Sequence, residues 1–598
     1  MTFFYFCTMA YKSINDCVLD LEKNGMLIRI KQEVDPNLEM SAIHQIVFKD
    51  HKKAVLFENV KGSRYAAVSN LFATLEQSQF IFRDTLKPVK GLVSLKANPA
   101  NFFKTPLALI SSVTHAPYAL PIKHRTHHFE EIQIEDIPQI KCWPMDGGPF
   151  VTLPQVYSED IDKPGIMNSN LGMYRIQLGG NDYVQNKEIG LHYQIHRGIG
   201  VHQTKANAKG QPLKVSIFVG GPPAHSLAAV MPLPEGMSEM TFAGIMGGRN
   251  FRYVLKDGYT LSKDADFVIC GEINANDVKP EGPFGDHLGY YSLTHDFPVM
   301  KIHKVYAKKD AIWPFTIVGR PPQEDSQFGA LIHDITDGII PAEIPGLKAV
   351  NAVDEAGVHP LLLAVGSERY TPYQKTRRPQ ELLTIANHIL GKGQLSLAKY
   401  LFIVAQEDDA NLDVQNEYDF FQHLFSRVNW SRDLHFQTKT TMDTLDYSST
   451  GEINEGSKVV CAAIGEKKRE LCKDLSNLYI EDGLKPHLVM PGVLVVESED
   501  VESVKSKLEY LELEGIALIT LVDDAAFVAE DISNWLWVTF TRSNPAEDIF
   551  GLEEGIQNKH WHCRIPIIDA RVKPHHAPAM HMPDEIVQLA HQKIKKAL

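Results

Sequence analysis

The sequence predicts a multidomain protein in which a β-rich central region lies between two α/β regions. From about residue 120 to 320, short apolar runs such as Lys214–Val219 and Phe267–Cys270 alternate with turns rich in glycine and proline. This texture is typical of a barrel or a curved sheet. On either side strands alternate with helices, as in Tyr400–Ala405 followed by Glu417–Val428. A chain of 598 residues also exceeds one ordinary core, so about two to four domains are expected.

The first predicted element is a helix over residues 13 to 25. Ser13 is a suitable N-terminal cap, because its hydroxyl can accept a hydrogen bond from a backbone N–H of the first turn. Gly25 is a suitable end, because glycine adopts the left-handed conformation that terminates helices. The predicted apolar face consists of Ile14, Val18, Leu19 and Leu21.

The C-terminal region contains an internal repeat. The segment KYLFIVAQEDD, with the aromatic stretch that follows it, is echoed by IALITLVDD and its own aromatic stretch. Three ionisable positions recur at one constant offset: Asp409, Arg427 and Asp433 correspond to Asp524, Arg542 and Asp548. Each copy reads as a strand, an acidic turn and an aromatic-rich helix. The repeat therefore predicts two similar α/β units rather than two active sites.

Composition excludes several classes of protein. The chain has 60 basic and 74 acidic residues and a formal net charge of -14, which argues against non-specific nucleic-acid binding. The seven scattered cysteines form no CxxC pair, so we expect a reducing compartment and a cytoplasmic location. No apolar run is long enough for an integral membrane segment. We expect the first eight residues to be an upstream start or a disordered tag, with Met9 opening the protein proper.

Three polar residues offer a set of metal-ligand atoms. Asn170, His196 and Glu239 supply a carbonyl oxygen, an imidazole nitrogen and a carboxylate. These ligands suit an octahedral divalent ion such as Mn²⁺ or Mg²⁺, which in turn can bridge to a phosphate. Spacing alone does not distinguish this set from three unrelated polar residues.

Two carboxylic acids flank a tight turn in the motif EGPFGDHLGYY. Glu281 and Asp286 are separated by Gly282–Gly285, a turn that can bring both carboxyls to one site. Together with Arg175, two neighbouring carboxyls would have separated pKa values, one remaining an anion and the other carrying a proton. A surface acidic turn is the alternative that the residues themselves leave open.

Taken together, the ordered motifs resemble the UbiD family of prenylated-FMN-dependent decarboxylases. The resemblance covers nearly the whole chain from Met9 onward. It is carried by the motifs NLGMYRIQ, HRG, SEMTFAG, PEGPFGDHLGYY, VGRPP and LDYSS. It implies an N-terminal α/β domain over residues 9–118, a central split β-barrel that holds the flavin over 119–325, and a C-terminal α/β oligomerisation domain over 340–598.

The resemblance assigns roles to individual residues. It implies that Asn170, His196 and Glu239 bind the divalent ion, Mn²⁺ or Mg²⁺, that holds the cofactor phosphate. The catalytic set that it implies is Arg175, Glu281 and Asp286. The segments that it implies line prenylated FMN contain Met173, Tyr174, Arg175, His192, Tyr193, Gln194, Arg197 and Gly198. A looser match places K⁺ against the backbone carbonyls of Ala228, Ala229 and Met231.

The implied activity is the reversible, non-oxidative decarboxylation of an aromatic or α,β-unsaturated acid. Asp286 and a C-terminal region extended over about residues 465 to 560 resemble the branch that acts on quinone precursors. Asp286 would donate the proton that replaces CO₂, which requires burial to raise its pKa. A separate flavin prenyltransferase would supply the cofactor. The alternatives are an FMN-dependent oxidoreductase and a non-catalytic flavin-binding scaffold.

The chain is also expected to form a homo-oligomer, a dimer or hexamer, through its C-terminal region. The aromatic helices of the repeat offer more apolar surface than one small domain usually hides. The side chains that carry this expectation are Phe420, Phe421, Trp535 and Trp537.

Overall fold

A computed structural model describes most of the chain. The described residues are 10–97, 115–193, 198–233, 238–336, 343–369, 373, 377–452, 454–477, 480 and 482–598. They form two compact units, one of residues 1–337 with 579–598 and one of residues 338–578. The expectation about the first eight residues lies outside the described part of the chain.

The first unit combines two larger sheets with helices on both sides. Its strands are β1 Leu27–Val34, β2 Ala54–Val60, β3 Ala66–Ser69, β4 Ile122–His124, β5 Glu130–Ile132, β6 Phe150–Val151, β7 Gln155–Glu159, β8 Ser169–Gly172, β9 Ile176–Gln177, β10 Glu188–Leu191, β11 Leu213–Val219, β12 Arg252–Lys256, β13 Tyr259–Ser262, β14 Phe267–Glu281, β15 Phe284–Gly285, β16 Tyr291–Ser292, β17 His295–Ala307 and β18 Ile312–Pro314. Its helices up to this point are α1 Ile14–Lys23, α2 Glu39–Asp50, α3 Leu75–Ile81, α4 Leu86–Ala97, α5 Gly198–Ala208, α6 Pro223–Val230, α7 Glu239–Gly247 and α8 Glu324–Thr336.

The predicted first helix is present, but one residue of its apolar face was wrong. The Ser13 hydroxyl caps α1 by accepting a hydrogen bond from the Asp16 N–H at 3.2 Å. Leu19 is 51% exposed, whereas Cys17 is fully buried. Positions 14, 17, 18 and 21 lie on one face at helical spacing, so Leu19 points away from the core.

The central sheet confirms the predicted curved β-rich region. It is a curled half-barrel in the order β6-β9-β10-β17-β14-β11-β7-β8, with β5 added at β17. Both faces of β11 are buried, because its neighbouring residues Ile217 and Phe218 belong to two different apolar clusters. This double burial explains why the strand reads as a continuous apolar run instead of an alternating one. The smaller sheet has the order β1-β2-β3-β18.

The second unit is built from two sheets of five strands. The strands of its first sheet are β19 Leu347–Ala352, β20 Leu361–Gly366, β21 Tyr400–Ala405, β22 Leu434–Thr441 and β23 Glu455–Ala463. The following strands are β24 His487–Met490, β25 Val493–Glu497, β26 Leu518–Val522, β27 Ile549–Leu552, the hairpin β28 Gly555–Gln557 with β29 His560–His562, and β30 Ile565–Asp569. The helices are α9 Glu381–Leu390, α10 Glu417–Arg427, α11 Val501–Leu508, α12 Ala525–Glu530, α13 Ile532–Thr541 and α14 Pro545–Asp548.

The two sheets have one topology, which confirms the internal repeat. Their orders are β19-β20-β21-β23-β22 and β24-β25-β26-β30-β27. In both sheets the outer pairs are antiparallel and the three central strands are parallel. We call the two halves the first and second half-repeat.

Asp433 and Asp548, which correspond in the repeat, make equivalent hydrogen bonds in the two halves. The buried carboxylate of Asp433 accepts a hydrogen bond from the Asn429 N–H at 2.8 Å. Asp548 accepts the equivalent bond from the Asn544 N–H at 2.7 Å. These carboxylates fix the loop after each aromatic helix, which is a structural role.

The aromatic helices do not offer the surface that was expected of them. Phe420, Phe421 and Trp535 are fully buried, and Trp537 is only 7% exposed. Phe421 of α10 lies 5.2 Å from Trp535 of α13 between ring centroids, so the half-repeats cover each other's rings. The expectation that these side chains present a surface for self-association is therefore wrong, and a homo-oligomer stays a prediction without this support.

The chain ends with a helix that belongs to the first unit. This helix, α15 Asp584–Ala597, packs on α2 through the ion pair of Lys593 with the buried Glu39. Among the helices that the structure describes, none has both the length and the apolar character needed to cross a membrane.

The packing between the half-repeats predicts a large effect of one ring. Phe421→Ala should lower the free energy of unfolding of the second unit by about 3 to 5 kcal/mol, because it opens a cavity between fully buried aromatic residues. The measurement is urea unfolding followed by tryptophan fluorescence. Tyr418→Ala on the same helix removes a ring that is 44% exposed and is the matched control. Equal effects of the two substitutions would contradict this packing.

Candidate active site

A buried arginine joins the two predicted acids. Arg175 lies between β8 and β9, Glu281 is the last residue of β14, and Asp286 directly follows β15. The Arg175 Nε and Nη2 atoms each donate to one oxygen of Glu281 at 2.8 Å. Its Nη1 atom donates to Asp286 Oδ2 at 2.5 Å. The alternative of a surface acidic turn is thus excluded, since Glu281 is fully buried and Asp286 is 7% exposed.

Both carboxyls are held as anions. Burial by itself would raise the pKa of Glu281, but the Arg175 charge and the bonds from His192 and Arg175 hold it at about 2. Burial would likewise raise the pKa of Asp286, but bonds from His287 and the charge of Arg175 hold it at about 2. The expectation that burial would leave one carboxyl protonated near neutral pH is wrong, because paired donors outweigh desolvation here.

Each carboxylate also bonds to an imidazole. His192 Nδ1 donates to Glu281 Oε2 at 3.3 Å, and its ring stacks on Phe297 with centroids 4.0 Å apart. Burial and the nearby Arg175 charge lower the pKa of His192, which favours the neutral ring. His287 donates to Asp286 Oδ1 at 2.7 Å from its backbone N and from its Nδ1. The five side chains form a linear sequence of imidazole, carboxylate, guanidinium, carboxylate and imidazole.

Two further contacts of Arg175 had no signal in the sequence. Its Nη2 atom donates to Ser292 Oγ at 3.0 Å, and Ser292 Oγ accepts the Phe284 N–H at 3.2 Å. The guanidinium carbon lies 4.6 Å from the centroid of the Phe284 ring, a cation–π distance. Ser292 was missed because it belongs to a second hairpin strand, and only pairing of β15 with β16 brings it to the site.

Two of the three predicted metal ligands come from neighbouring elements, Asn170 from β8 and Glu239 from α7. Glu239 opens α7, and its carboxylate accepts a hydrogen bond from the backbone N–H of Leu171, the residue after Asn170. A Cβ on Gly198 would lie 2.0 Å from Asn170 Oδ1, so the backbone of α5 approaches that oxygen as only glycine permits. Burial raises the pKa of Glu239. These two partly buried oxygen donors are of the kind that binds a divalent cation; His196 lies outside the described residues.

Tyr174, one of the predicted cofactor-lining residues, lies beside Asn170, whose Nδ2 atom donates to the Tyr174 hydroxyl at 3.4 Å. The Tyr174 and Tyr193 rings meet edge to face with centroids 6.1 Å apart. The buried Tyr193 hydroxyl has no hydrogen-bond partner among the described residues, which leaves a polar atom for a ligand to satisfy. The Met173 N–H donates to the Ala229 carbonyl at 3.0 Å, beside α6. Gln194 and Arg197, like His196, fall outside the described part of the chain.

The carbonyls proposed for K⁺ lie at the end of α6. The Ala229 oxygen accepts from Met173 as above, and the Met231 oxygen accepts from the Leu233 N–H at 2.8 Å. Each carbonyl has a second lone pair for a cation, so these bonds neither add nor remove support for K⁺ at Ala228, Ala229 and Met231.

Comparison with protein families identifies the chain. Its residues 18–96, 116–321 and 326–463 match the N-terminal, Rift-related and C-terminal domain models of 3-octaprenyl-4-hydroxybenzoate carboxy-lyase. The chain belongs to the UbiD family. As a UbiD protein it is a carboxy-lyase. The second half-repeat, which starts at β24, lies beyond the last matched residue.

Two UbiD relatives are similar along nearly their whole length. A Chlamydia pneumoniae protein, named as one subunit of 4-hydroxybenzoate decarboxylase, is 36% identical over 569 residues and covers 92% of each chain. A Chlamydia trachomatis protein described as uncharacterized is 34% identical over 577 residues, covering 94% of this chain and 95% of that one.

Solved structures share the UbiD fold. The closed form of Sedimentibacter hydroxybenzoicus vanillic acid decarboxylase has a TM-score of 0.63 at 21% identity and covers 79% of this chain and 97% of that chain. The UbiD-class enzyme HmfF from Pelotomaculum thermopropionicum, solved with FMN, has a TM-score of 0.59 at 17% identity, with 78% and 98% covered. An evolved dimeric form of HmfF, solved with prFMN, has a TM-score of 0.57 at 17% identity, with 77% and 97% covered.

The depressed carboxyl pKa values predict how stability depends on pH. The folded pKa of Glu281 lies below its ordinary value, so its ionised form stabilises the protein above about pH 4. That contribution, on the order of 3 kcal/mol, is lost as the pH falls toward 2. Glu281→Gln should therefore be less stable than the wild type at pH 7, and the difference should shrink between pH 5 and 2.

The measurement is the urea midpoint at each pH. Glu130→Gln, at an exposed glutamate, is the control and should show no such convergence. A difference between wild type and Glu281→Gln that stays constant from pH 7 to 2 would contradict the pairing.

Proposed function

We propose that this UbiD protein catalyses the non-oxidative, reversible decarboxylation of an aromatic or α,β-unsaturated carboxylic acid with prenylated FMN. The observation that carries the proposal is the buried Arg175 shared by Glu281 and Asp286. Burying three charges is costly unless geometry and hydrogen bonds compensate. A protein that needed only a stable core would be served as well by apolar residues there, so the cluster is best explained by chemistry.

Arg175, Asp286 and Glu281 have different proposed roles, which follow from their contacts. Arg175 presents a planar fork that holds Glu281 through two parallel bonds, and this fixes the direction of its remaining edge toward Asp286. Asp286 is the carboxyl proposed to return a proton to the carbon that loses CO₂. Glu281, clamped between Arg175 and His192, holds the guanidinium in place and keeps its own charge.

The cofactor would be held at the Asn170 and Glu239 end of the site. When bound, prenylated FMN supplies the electron sink that lets a carboxylate leave as CO₂. Asn170 and Glu239, with His196 as the third proposed ligand, would bind Mn²⁺ or Mg²⁺ to hold the cofactor phosphate. Tyr174 and Tyr193 would border the ring system. A separate flavin prenyltransferase is the proposed source of the cofactor.

The proposed substrate class is an aromatic acid of quinone biosynthesis, such as a hydroxybenzoate or a hydroxynaphthoate. The name of the Chlamydia pneumoniae relative, which refers to 4-hydroxybenzoate, supports an aromatic acid. Asp286 at the last catalytic position and the extended C-terminal region support the quinone branch.

Glu239→Gln should release metal and flavin together. The substitution removes the charge of one proposed ligand while keeping its size, and the affinity for the divalent ion should fall by at least about 100-fold. Metal content by mass spectrometry and flavin absorbance after gel filtration provide the measurement. Glu131→Gln, at an exposed glutamate of β5, is the control. Full flavin occupancy in Glu239→Gln would overturn this assignment.

An acid panel tests the function itself. The protein co-expressed with a flavin prenyltransferase should release CO₂ from hydroxybenzoates or hydroxynaphthoates, and Asp286→Asn should lower kcat by roughly 100- to 10,000-fold with flavin still bound. Turnover of cinnamate-like acids alone would reject the quinone branch and keep the decarboxylase. Oxidation of substrate without CO₂ release would support an FMN-dependent oxidoreductase. Flavin binding with no turnover would support a scaffold.

A further inference from the structure

Asp286 is an anion at rest, so it needs a source for the proton that it is proposed to donate. A carboxyl with a pKa of about 2 carries no proton at neutral pH, yet decarboxylation must place one on carbon. The proton therefore has to reach Asp286 during each turnover, from a group that can exchange with water. An imidazole in direct contact with Asp286, that of His287, is such a group.

A tight turn holds this imidazole against the carboxylate. The Asp286 N–H donates to the Tyr290 carbonyl and the Gly289 N–H donates to the Asp286 carbonyl, both at 3.0 Å. Gly289 has a φ of +87°, a conformation that favours glycine. The turn bends His287 back so that its Nδ1 lies 2.7 Å from Oδ1 of Asp286, while Oδ2 faces Arg175.

The two carboxylate oxygens thus point in different directions. Oδ2 accepts a hydrogen bond from Arg175 in the buried charge cluster. Oδ1 is bonded to the imidazole of His287, whose side chain is 25% exposed. His192, the imidazole at the opposite end, is 10% exposed and stacks on Phe297. Only the His287 end therefore combines contact with Asp286 and access to water among these five side chains.

The charges around Asp286 favour transfer of a proton toward its carboxylate. Glu281 and Asp286 carry two negative charges, and Arg175 supplies one positive charge. A substrate carboxylate that enters beside Asp286 adds another negative charge and raises the affinity of Asp286 for a proton, so transfer from the imidazole to the carboxylate becomes more favourable as the substrate binds.

We propose that His287 is the proton-delivery residue of this site, a role that rests on the proposed function. His287 takes a proton from water and passes it through Nδ1 to Asp286 Oδ1. Asp286 then gives a proton to the substrate carbon and returns to its carboxylate. The C–CO₂ bond breaks, a C–H bond forms, and the electron pair left by CO₂ takes up the proton. Per turnover one carboxylate and one proton become one neutral product and CO₂.

The test removes the titrating group and keeps the hydrogen bond. In His287→Asn the amide nitrogen can replace Nδ1 as donor to Asp286, but it cannot carry a proton. With prenylated FMN loaded, kcat should fall by about 100-fold while KM changes less than about threefold. Flavin occupancy and the thermal midpoint should match the wild type. His128→Asn, at an exposed histidine outside the site, should leave all four quantities unchanged.

Chemical rescue separates proton transfer from packing. Added imidazole should restore part of the lost kcat, and a series of imidazoles should restore it in proportion to their basicity. Pyrazole has the same shape and much lower basicity, so it should restore little. Exchange of solvent deuterium into the product should fall and recover in step with decarboxylation. His287→Gln also lacks a titrating ring and should behave like His287→Asn. Agreement between the two variants shows that the loss of kcat does not come from misfolding of one of them.

The outcomes distinguish this inference from the function on which it rests. A wild-type enzyme that decarboxylates no acid of the panel would overturn both. An active wild type with kcat within threefold in His287→Asn and His287→Gln would overturn proton delivery by His287 and leave the decarboxylase intact. Equal rescue by pyrazole and imidazole would assign His287 to packing and would likewise overturn the inference.

Discussion

The structure of the first unit depends on a single buried guanidinium shared by two carboxylates. Arg175 comes from the corner between β8 and β9, Glu281 from the end of β14 and Asp286 from the turn after β15. Three separate parts of the sheet therefore have to meet at one point, and each charge is tolerated only while the others are present. Burying these charges is unfavourable unless they pair. The need to pair also fixes where the three side chains lie relative to one another.

The curled sheet is suited to meeting that requirement. Its long strands β14 and β17 are paired over most of their length, and Glu281 at the end of β14 pairs with His295 at the start of β17, so the sheet holds the Glu281 backbone in place. Two of the three proposed metal ligands, Asn170 and Glu239, instead come from the edge strand β8 and the first residue of α7. The sheet thus positions the charge cluster, while an edge strand and a helix start carry two of the residues proposed for metal binding, and regular elements position side chains more precisely than loops do.

Sequence reasoning succeeded where a pattern is local and failed where a neighbour decides the outcome. Apolar runs and turn residues were enough to predict the β-rich centre and the repeat, because periodicity and turns are properties of the chain itself. The burial of Phe421 could not be deduced, since an apolar helix face packs equally well on the same chain or on another. The low pKa of Asp286 was missed because it depends on the donors of Arg175 and His287, which a desolvation argument alone does not include.

The position of Leu19 shows the same limit on a smaller scale. Ile14, Cys17, Val18 and Leu21 follow helical spacing, and Leu19 lies one position away from that pattern. Reading a list of apolar residues without its angular phase therefore placed a surface leucine in the core. Site residues were easier to group than to interpret, because long motifs specify which residues recur and not what each of them touches.

The mutual covering of the half-repeats has a consequence for how such a chain can be shortened. A chain that stopped at residue 463 would expose the ring of Phe421 and its neighbour Phe402, which Trp535 and Phe540 cover here. Exposing that aromatic face to water would be unfavourable, so we expect the truncated protein to bury it against another molecule. Within this chain, each half-repeat therefore serves as the partner that shields the aromatic face of the other.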